Sequence, residues 1–198
     1  MLTLRKVAVT GGLAAGKTTV CQFFKELGAY VVSADEIVHQ LLSPETAVGQ
    51  QVIRLLGSDI ISDNTLNRKK IAAKVFSQPK LLQNLEELIH PAVFDEIDKR
   101  YQHAQQQSSS LFIAEIPLLY ESEREGKFDF VITVLASEEL CRRRFMSQSQ
   151  RPSDEFDKRM LRQIDPKKKA AKAHFTLFNE GDVEQLKAQV TMLYTQLT

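Results

Sequence analysis

Cysteine is scarce in this chain. Its 198 residues hold two, Cys21 and Cys141, with no C-x-x-C spacing. A disulfide framework or a cysteine-built zinc site is therefore excluded as an organising feature, and a reducing compartment fits. The histidines His39, His90, His103 and His174 form no metal-ligand spacing either. Long apolar runs are missing: no segment approaches the roughly 18 residues of a membrane-spanning helix. The first residues run straight into a strand pattern, with no apolar h-region or small-residue cleavage site. Charge of one sign is missing too. Lys and Arg number 26 against 25 Asp and Glu, a net charge of +1. Neither nucleic acid nor a membrane surface is written into that total as a partner. There are no repeats and no low-complexity block beyond the Gln/Ser stretch 102–110. The expectation is a cytoplasmic globular protein acting on small molecules.

What is present is ordinary for a folded domain: 43% hydrophobic and 26% charged residues, and enough length for one core with small insertions. "LRKVAVT" (4–10) reads as a buried strand ending at glycine. Val20, Phe23, Phe24 and Leu27 follow at helical spacing, closed by Gly28. "YVVSAD" (30–35) reads as a second strand. Strand, loop, helix, strand is a βαβ unit and implies a parallel sheet. From Asp35 to Gln107 the pattern is mostly helical, broken at "SPETAVG", "LGSDIISDN" and "SQPK". Ser43-Pro44 reads as a cap with Pro at the first helical position. His90-Pro91 precedes a helix bearing Val93, Ile97 and Tyr101. Strands follow at 111–119 and 128–136 and a short strand and turn at 174–182, with helices between, and the C-terminal segment is an amphipathic helix.

The chemistry starts at Gly11-Gly12-Leu13-Ala14-Ala15-Gly16-Lys17-Thr18-Thr19, which contains G-x-x-x-x-G-K-T. The spacing lets backbone N–H groups curl around a phosphate while a helix N-terminus points at it. Lys17 would reach the β- and γ-phosphates of a nucleotide, and the Thr18 hydroxyl would ligate Mg²⁺. The loop lies between a strand and a helix, as such loops do. The alternative is a glycine turn that happens to carry Lys-Thr.

Asp35 follows the second strand, at the sheet edge where ligands bind in open α/β folds. It can accept a proton from an attacking hydroxyl, hold Mg²⁺ through water, or serve as the cap of the helix that follows. Glu115 ends the third strand, a Walker-B-like position near a metal; the alternative is a strand-end acid facing solvent. Glu121 could reach the same cleft. Arg142, Arg143 and Arg144, then Arg151, Arg159 and Arg162, supply cations that a closing segment can bring over a transferring phosphoryl group. Helical spacing lets only one or two of the triplet face one site, so most are expected on a solvated face. "KKKAAK" (167–172) reads as a solvated helix surface, because no aromatics are interleaved as in a nucleic-acid patch.

The ordered set of these motifs resembles the dephospho-CoA kinases, in the nucleoside-monophosphate-kinase-like group of P-loop proteins. The resemblance runs from "VAVTGGLAAGKTTV" to "FNEGD" and includes Ala34-Asp35, His90-Pro91, Pro117 to Glu121, Arg144, Arg159 with Gln163, and Asn179 with Gly181. It implies a three-layer α/β/α fold on a five-stranded parallel sheet, order 2-3-1-4-5. It implies a single domain over 1–198: core 1–35, 108–138 and 173–198, a helical acceptor-binding insertion at 36–107, and a lid at 139–172. It implies γ-phosphoryl transfer from ATP, with Mg²⁺, to the ribose 3′-hydroxyl of dephospho-CoA, giving CoA and ADP. Lys17, Asp35 and Arg144 would be catalytic. The loop from Gly11 to Thr19 would hold ATP. Asp35, His90, Glu115, Pro117 and Leu118 would meet the acceptor, and the enzyme would be a monomer or weak homo-oligomer. The chain departs from the family's usual residues at Ala14, Ala15, Ser33, Glu115, Cys141, Gln148 and Ala173-His174. Read from residues alone, the pattern gives a P-loop phosphotransferase with a helical acceptor region. Another nucleoside or nucleotide kinase, or a nucleotide binder without turnover, remain alternatives.

Overall fold

The computed structural model describes residues 4–107, 109–149 and 153–198. Arg151, one of the arginines singled out above, lies outside them. The chain divides into two compact units. One holds the chain through Ser33 and from Tyr101 onward. The other holds Ala34–Arg100.

The first unit is built on a five-stranded parallel sheet. Its strands are β1 (Arg5–Gly11), β2 (Tyr30–Ser33), β5 (Leu111–Glu115), β6 (Phe130–Leu135) and β7 (Phe175–Phe178), in the order β2-β5-β1-β6-β7. Counted over the five strands read in the sequence, this is the arrangement 2-3-1-4-5. The labels differ because a two-stranded hairpin, β3 (Ile61–Ser62) with β4 (Thr65–Leu66), lies between in the chain.

Strand side chains alternate between faces. Val7, Val9, Leu111, Ile113, Ile132 and Val134 point one way and pack with Val20 and Phe24 of α1 (Lys17–Glu26) and Leu186 and Val190 of α9 (Val183–Leu197). Ala8, Phe112, Ala114, Val131 and Thr133 are buried on the other face. There Tyr101 meets Phe112 edge-on at 5.3 Å between ring centroids. Covered on both sides, the strands are near-continuous apolar runs, the signature of a parallel sheet.

The strands are shorter than the sequence suggests. The third stops at Glu115, not at 119, because Pro117 has no N–H to donate to the ladder. The second spans Tyr30–Ser33, and the last spans Phe175–Phe178 with the turn read in the sequence after it. Beyond β6 come α6 (Glu138–Ser149), α7 (Ser153–Met160) and α8 (Pro166–Lys172). Asp165 caps α8 by accepting from Lys167 and Lys168 N–H groups, with Pro166 at the first helical position.

The second unit contains α2 (Ala34–Leu41), α3 (Ala47–Leu56), the hairpin, α4 (Arg68–Val75) and most of α5 (Pro79–Gln105). Thr46, not Ser43, caps α3, accepting from Gly49 N at 2.9 Å. His90-Pro91 does not precede a helix but sits inside α5. Proline at 91 forfeits the hydrogen bond to the Glu87 carbonyl and sets its ring against that carbonyl. The buried stripe Leu85, Ile89, Val93 and Ile97 runs past it at four-residue spacing and sustains the helix on both sides.

Candidate active site

The nucleotide-binding candidate is assembled where β1 ends and α1 begins. Gly11 takes φ +144°, and a Cβ there would stand 2.3 Å from the Val134 carbonyl oxygen of β6. The sheet thus presses directly on the loop's first residue, and only glycine fits. Gly16, at φ +99°, precedes α1; a Cβ on it would meet Asn179 Nδ2 at 2.1 Å. Ala14 carries φ +56° without being glycine. Ala15 is buried, Leu13 and Ala14 half-buried, and Thr19 exposed. The first turn of α1 has no intrahelical partners for its N–H groups, so the loop opens toward a positive helix end.

Lys17 is buried, with its ammonium donating to the carbonyls of Gly12 at 2.8 Å and Gly11 at 3.3 Å. The Thr18 hydroxyl donates to Glu115 Oε1 at 2.8 Å. Glu115 reaches it because β5 lies beside β1 in register, Val9 opposite Glu115. Arg144, on α6, offers one guanidinium nitrogen to the Asn179 carbonyl and another to Asn179 Oδ1, both at 3.3 Å. Lys17, Thr18, Glu115, Arg144, Gln148 and Asn179 line one cleft of about 320 Å³. The phosphate loop, Glu115 and Arg144, chosen from separate stretches of the sequence, therefore meet at one place. A larger cavity of about 840 Å³ opens by Gly12, Leu13, Cys141, Phe156, Gln163 and Pro166.

Burial pushes the Cys21 thiol well up, the Glu115 carboxylate adds to the rise, and the Lys17 ammonium opposes it. The Cys141 thiol is also raised by burial, against Arg144 and Lys17. Both thiols are thus held in the neutral form more firmly than a free cysteine.

Two hard oxygen donors 2.8 Å apart, on Thr18 and Glu115, suit Mg²⁺. No cluster of three His, Cys, Asp or Glu ligands occurs among the described residues. That donor set fits an ion held by one or two protein oxygens with phosphates and water, and not an all-protein cage.

Other choices land elsewhere. Pro117 and Leu118 line neither cavity. The Pro117 carbonyl accepts from Thr10 Oγ1 at 3.2 Å and Lys169 Nζ at 2.9 Å, and Leu118 is exposed. Asp35 is exposed at the second position of α2, inside the helix and not its cap. His90 is half-buried in α5. Both belong to the second unit.

Glu121 is not a cleft residue: its Oε1 takes Lys169 Nζ at 2.7 Å and Ile164 N–H at 2.9 Å. The expectation that 167–172 is a solvated surface fails at Lys169, whose side chain is fully buried on that carboxylate. Arg142 is bound to Asp157 and Glu138, and Arg159 to Glu155. Asn179 was visible only as a motif match; no local pattern marks it as the partner of both the loop and Arg144.

The dephospho-CoA kinase family profile matches residues 5–185. A dephospho-CoA kinase of Protochlamydia amoebophila is 46% identical over 199 residues, covering 100% of this chain and 98% of its own. One from Chlamydia pneumoniae is 47% identical over 191 residues, covering 96% of this chain and 95% of its own. A Thermus thermophilus protein of known crystal structure superposes with a TM-score of 0.84 at 27% identity, over 98% of both chains. A match spanning the strand that enters the phosphate loop through the start of α9, with relatives this similar over their whole length, settles the family: the chain belongs to the dephospho-CoA kinases.

Proposed function

We propose that this chain transfers the γ-phosphoryl group of ATP to the ribose 3′-hydroxyl of dephospho-CoA, giving CoA and ADP. The observation that carries the reading is the meeting of Lys17, Thr18, Glu115 and Arg144 around one cleft at the head of α1, in a chain of this family. The loop from Gly11 to Thr19 would cradle the phosphates, with its backbone N–H groups and the helix end supplying positive charge. Lys17 would exchange its two loop carbonyls for phosphate oxygens and offset charge on the transferring group. Thr18 and Glu115 would hold Mg²⁺, and the ion would supply positive charge against the charge that develops in transfer.

In the transfer, the bond from the γ-phosphorus to the β–γ bridging oxygen breaks and one to the 3′-oxygen forms. Asp35, two residues beyond β2, would orient that hydroxyl and take its proton as the new bond forms, while ADP leaves with the electron pair of the broken bond. His90, Pro117 and Leu118 would contribute to acceptor binding. Arg144, on the 139–172 segment read as a lid, would contact the transferring group. Closure of that segment excludes water, which would otherwise hydrolyse ATP. The core, helical insertion and lid boundaries read from the sequence belong to this same proposal. So do a cytoplasmic location, small-molecule partners without nucleic acid, and a monomeric or weakly associating state. No helix among the described residues is long and apolar enough to cross a membrane.

The test is ADP release from Mg-ATP with dephospho-CoA, with AMP and adenosine as rival acceptors and the product confirmed by mass. Lys17→Ala and Asp35→Asn should each lower turnover by about 100-fold or more. Thr18→Val should raise the Mg²⁺ concentration needed for half-maximal rate. Transfer to AMP or adenosine in preference would assign another kinase activity. ATP binding with no product on any acceptor would overturn the reading in favour of a nucleotide binder.

A further inference from the structure

We propose that Asn179 is a positioning residue that couples the phosphate loop to Arg144. The inference rests on the reading of this cleft as a nucleotide site. Asn179 is buried, 7% exposed, and every polar group on it is engaged. Its side-chain Nδ2 donates to the Ala15 carbonyl at 2.8 Å, inside the loop. Its Oδ1 and its main-chain carbonyl accept the two arms of the Arg144 guanidinium. Its own N–H donates to Leu135 O at 2.8 Å, continuing the β6–β7 ladder. One amide therefore touches the loop with its donor end and the arginine with its acceptor end.

The frame holding that amide is tied down on several sides. Gly16 leaves no room for a side chain between α1 and Asn179. The residue before it, Phe178, has its N–H and C=O held by the side-chain amide of Gln189, at 3.0 and 2.9 Å. Asp182 caps α9 three residues later, accepting from Gln185 N at 2.8 Å. A part locked to the sheet and to α9 is a fixed reference from which the loop and Arg144 are both aimed. The Arg144 contacts, at 3.3 Å, lie beyond the usual 2.7–2.9 Å of a charge-assisted bond. They set the direction of the guanidinium and leave it free to take phosphate oxygens at closer range. A change in the loop reaches Arg144 through the Ala15–Asn179 bond, and the reverse holds as well.

The experiment is a double-mutant cycle on the full chain. Asn179→Ala, Arg144→Ala and the double variant are compared for binding of a fluorescent ATP analogue and for kcat and KM toward ATP. Melting temperatures confirm that each variant is folded. Asn179→Ala should lower kcat/KM for ATP about 10- to 100-fold in the parent and much less in the Arg144→Ala background, as coupled neighbours do. Asn179→Asp keeps the acceptor for Arg144 but sets a carboxylate against the Ala15 carbonyl. It should weaken nucleotide binding while retaining most of kcat.

Additive losses in the double variant would overturn the coupling. So would a variant that only melts earlier, with nucleotide affinity and kcat intact. If the parent binds nucleotide but forms no CoA, the proposed activity fails. The cycle in nucleotide affinity then still decides the coupling: additivity there overturns it, and non-additivity upholds it.

Discussion

Lys169 Nζ stands 2.7 Å from Glu121 Oε1, with the lysine side chain wholly out of solvent. The same ammonium donates to the Pro117 carbonyl, and the same carboxylate oxygen accepts the Ile164 N–H. Pro117 O also receives the Thr10 hydroxyl, one residue before the phosphate loop. The chain segment after β5 is thus pinned to α8 by the ion pair and its hydrogen bonds, and to the end of β1 by the Thr10 hydroxyl.

Breaking that pair from one side leaves a charge without its partner. Lys169→Met should destabilise the fold by about 3–5 kcal/mol, because Glu121 keeps its desolvation and loses its counter-charge. The double variant Lys169→Met/Glu121→Leu should recover a large part of the loss. Urea unfolding midpoints, with constant slopes, measure both. A loss below 1 kcal/mol in the single variant would mean that solvent reaches the pair.

Ala14 holds φ +56°, the left-handed region that costs a residue with a Cβ about 1–2 kcal/mol. Ala14→Gly removes that strain and adds freedom to the unfolded chain, worth about 0.4–1 kcal/mol in the opposite sense. The balance should be a small gain in stability, read as a slightly higher urea midpoint. A clear loss would show that the Ala14 methyl group packs well enough to outweigh the backbone.

The thiols give a pH prediction. Cys21 is raised first by burial and then by Glu115. The folded chain keeps that proton while the unfolded chain releases it above the ordinary thiol value of about 9. More protons bound in the folded state means that stability falls as pH rises past that point. At pH 8 a thiol reagent should find neither cysteine in the folded protein and both in denaturant. Cys21→Ala should flatten the alkaline loss of stability. Rapid modification of the folded protein would contradict the burial of both sulfurs.

An acid prediction comes from α6 and α7. The Asp157 carboxylate takes two bonds from Arg142, at 2.6 and 3.0 Å, and that hydrogen bonding holds its pKa below the usual carboxylate value. A depressed carboxylate contributes stability above its unfolded pKa and loses it as pH falls through its folded one. The difference in melting temperature between the parent and Arg142→Gln should therefore be positive at pH 7 and shrink as pH falls below the ordinary aspartate value of about 3.9. Because the pair is exposed, the neutral-pH difference should be small and should shrink in high salt. A difference independent of pH would assign the effect to packing of Arg142 over the Phe156 ring, 4.7 Å away.

The phosphate loop was legible because glycine spacing and the strand-to-helix context are local, and so were the sheet strands, whose apolar runs are continuous. The hairpin was passed over, although Asp63-Asn64 is a two-residue turn of the kind that takes positive φ at both positions, here 49° and 56°. Two-residue strands leave too little alternation to be seen. Pro91 misled in the other direction: breaker chemistry is local, but the apolar stripe that carries α5 across it comes from tertiary packing. Nothing in "KKKAAK" distinguishes Lys169 from its neighbours. Its burial depends on Glu121, almost fifty residues earlier in the chain. Asn179 is likewise defined by partners distant in the sequence, Ala15 and Arg144.

The Gln189 amide on Phe178 has a further effect at the border of the sheet. β7 is an edge strand, and Phe178 turns its N–H and C=O away from β6. A side chain that imitates a neighbouring peptide group occupies both, so an arriving strand from a second molecule finds its docking position already filled. With only four residues in β7 and that position closed, this edge of the sheet offers little template for growth, and the exposed Phe178 ring is left without a backbone ladder to recruit a partner.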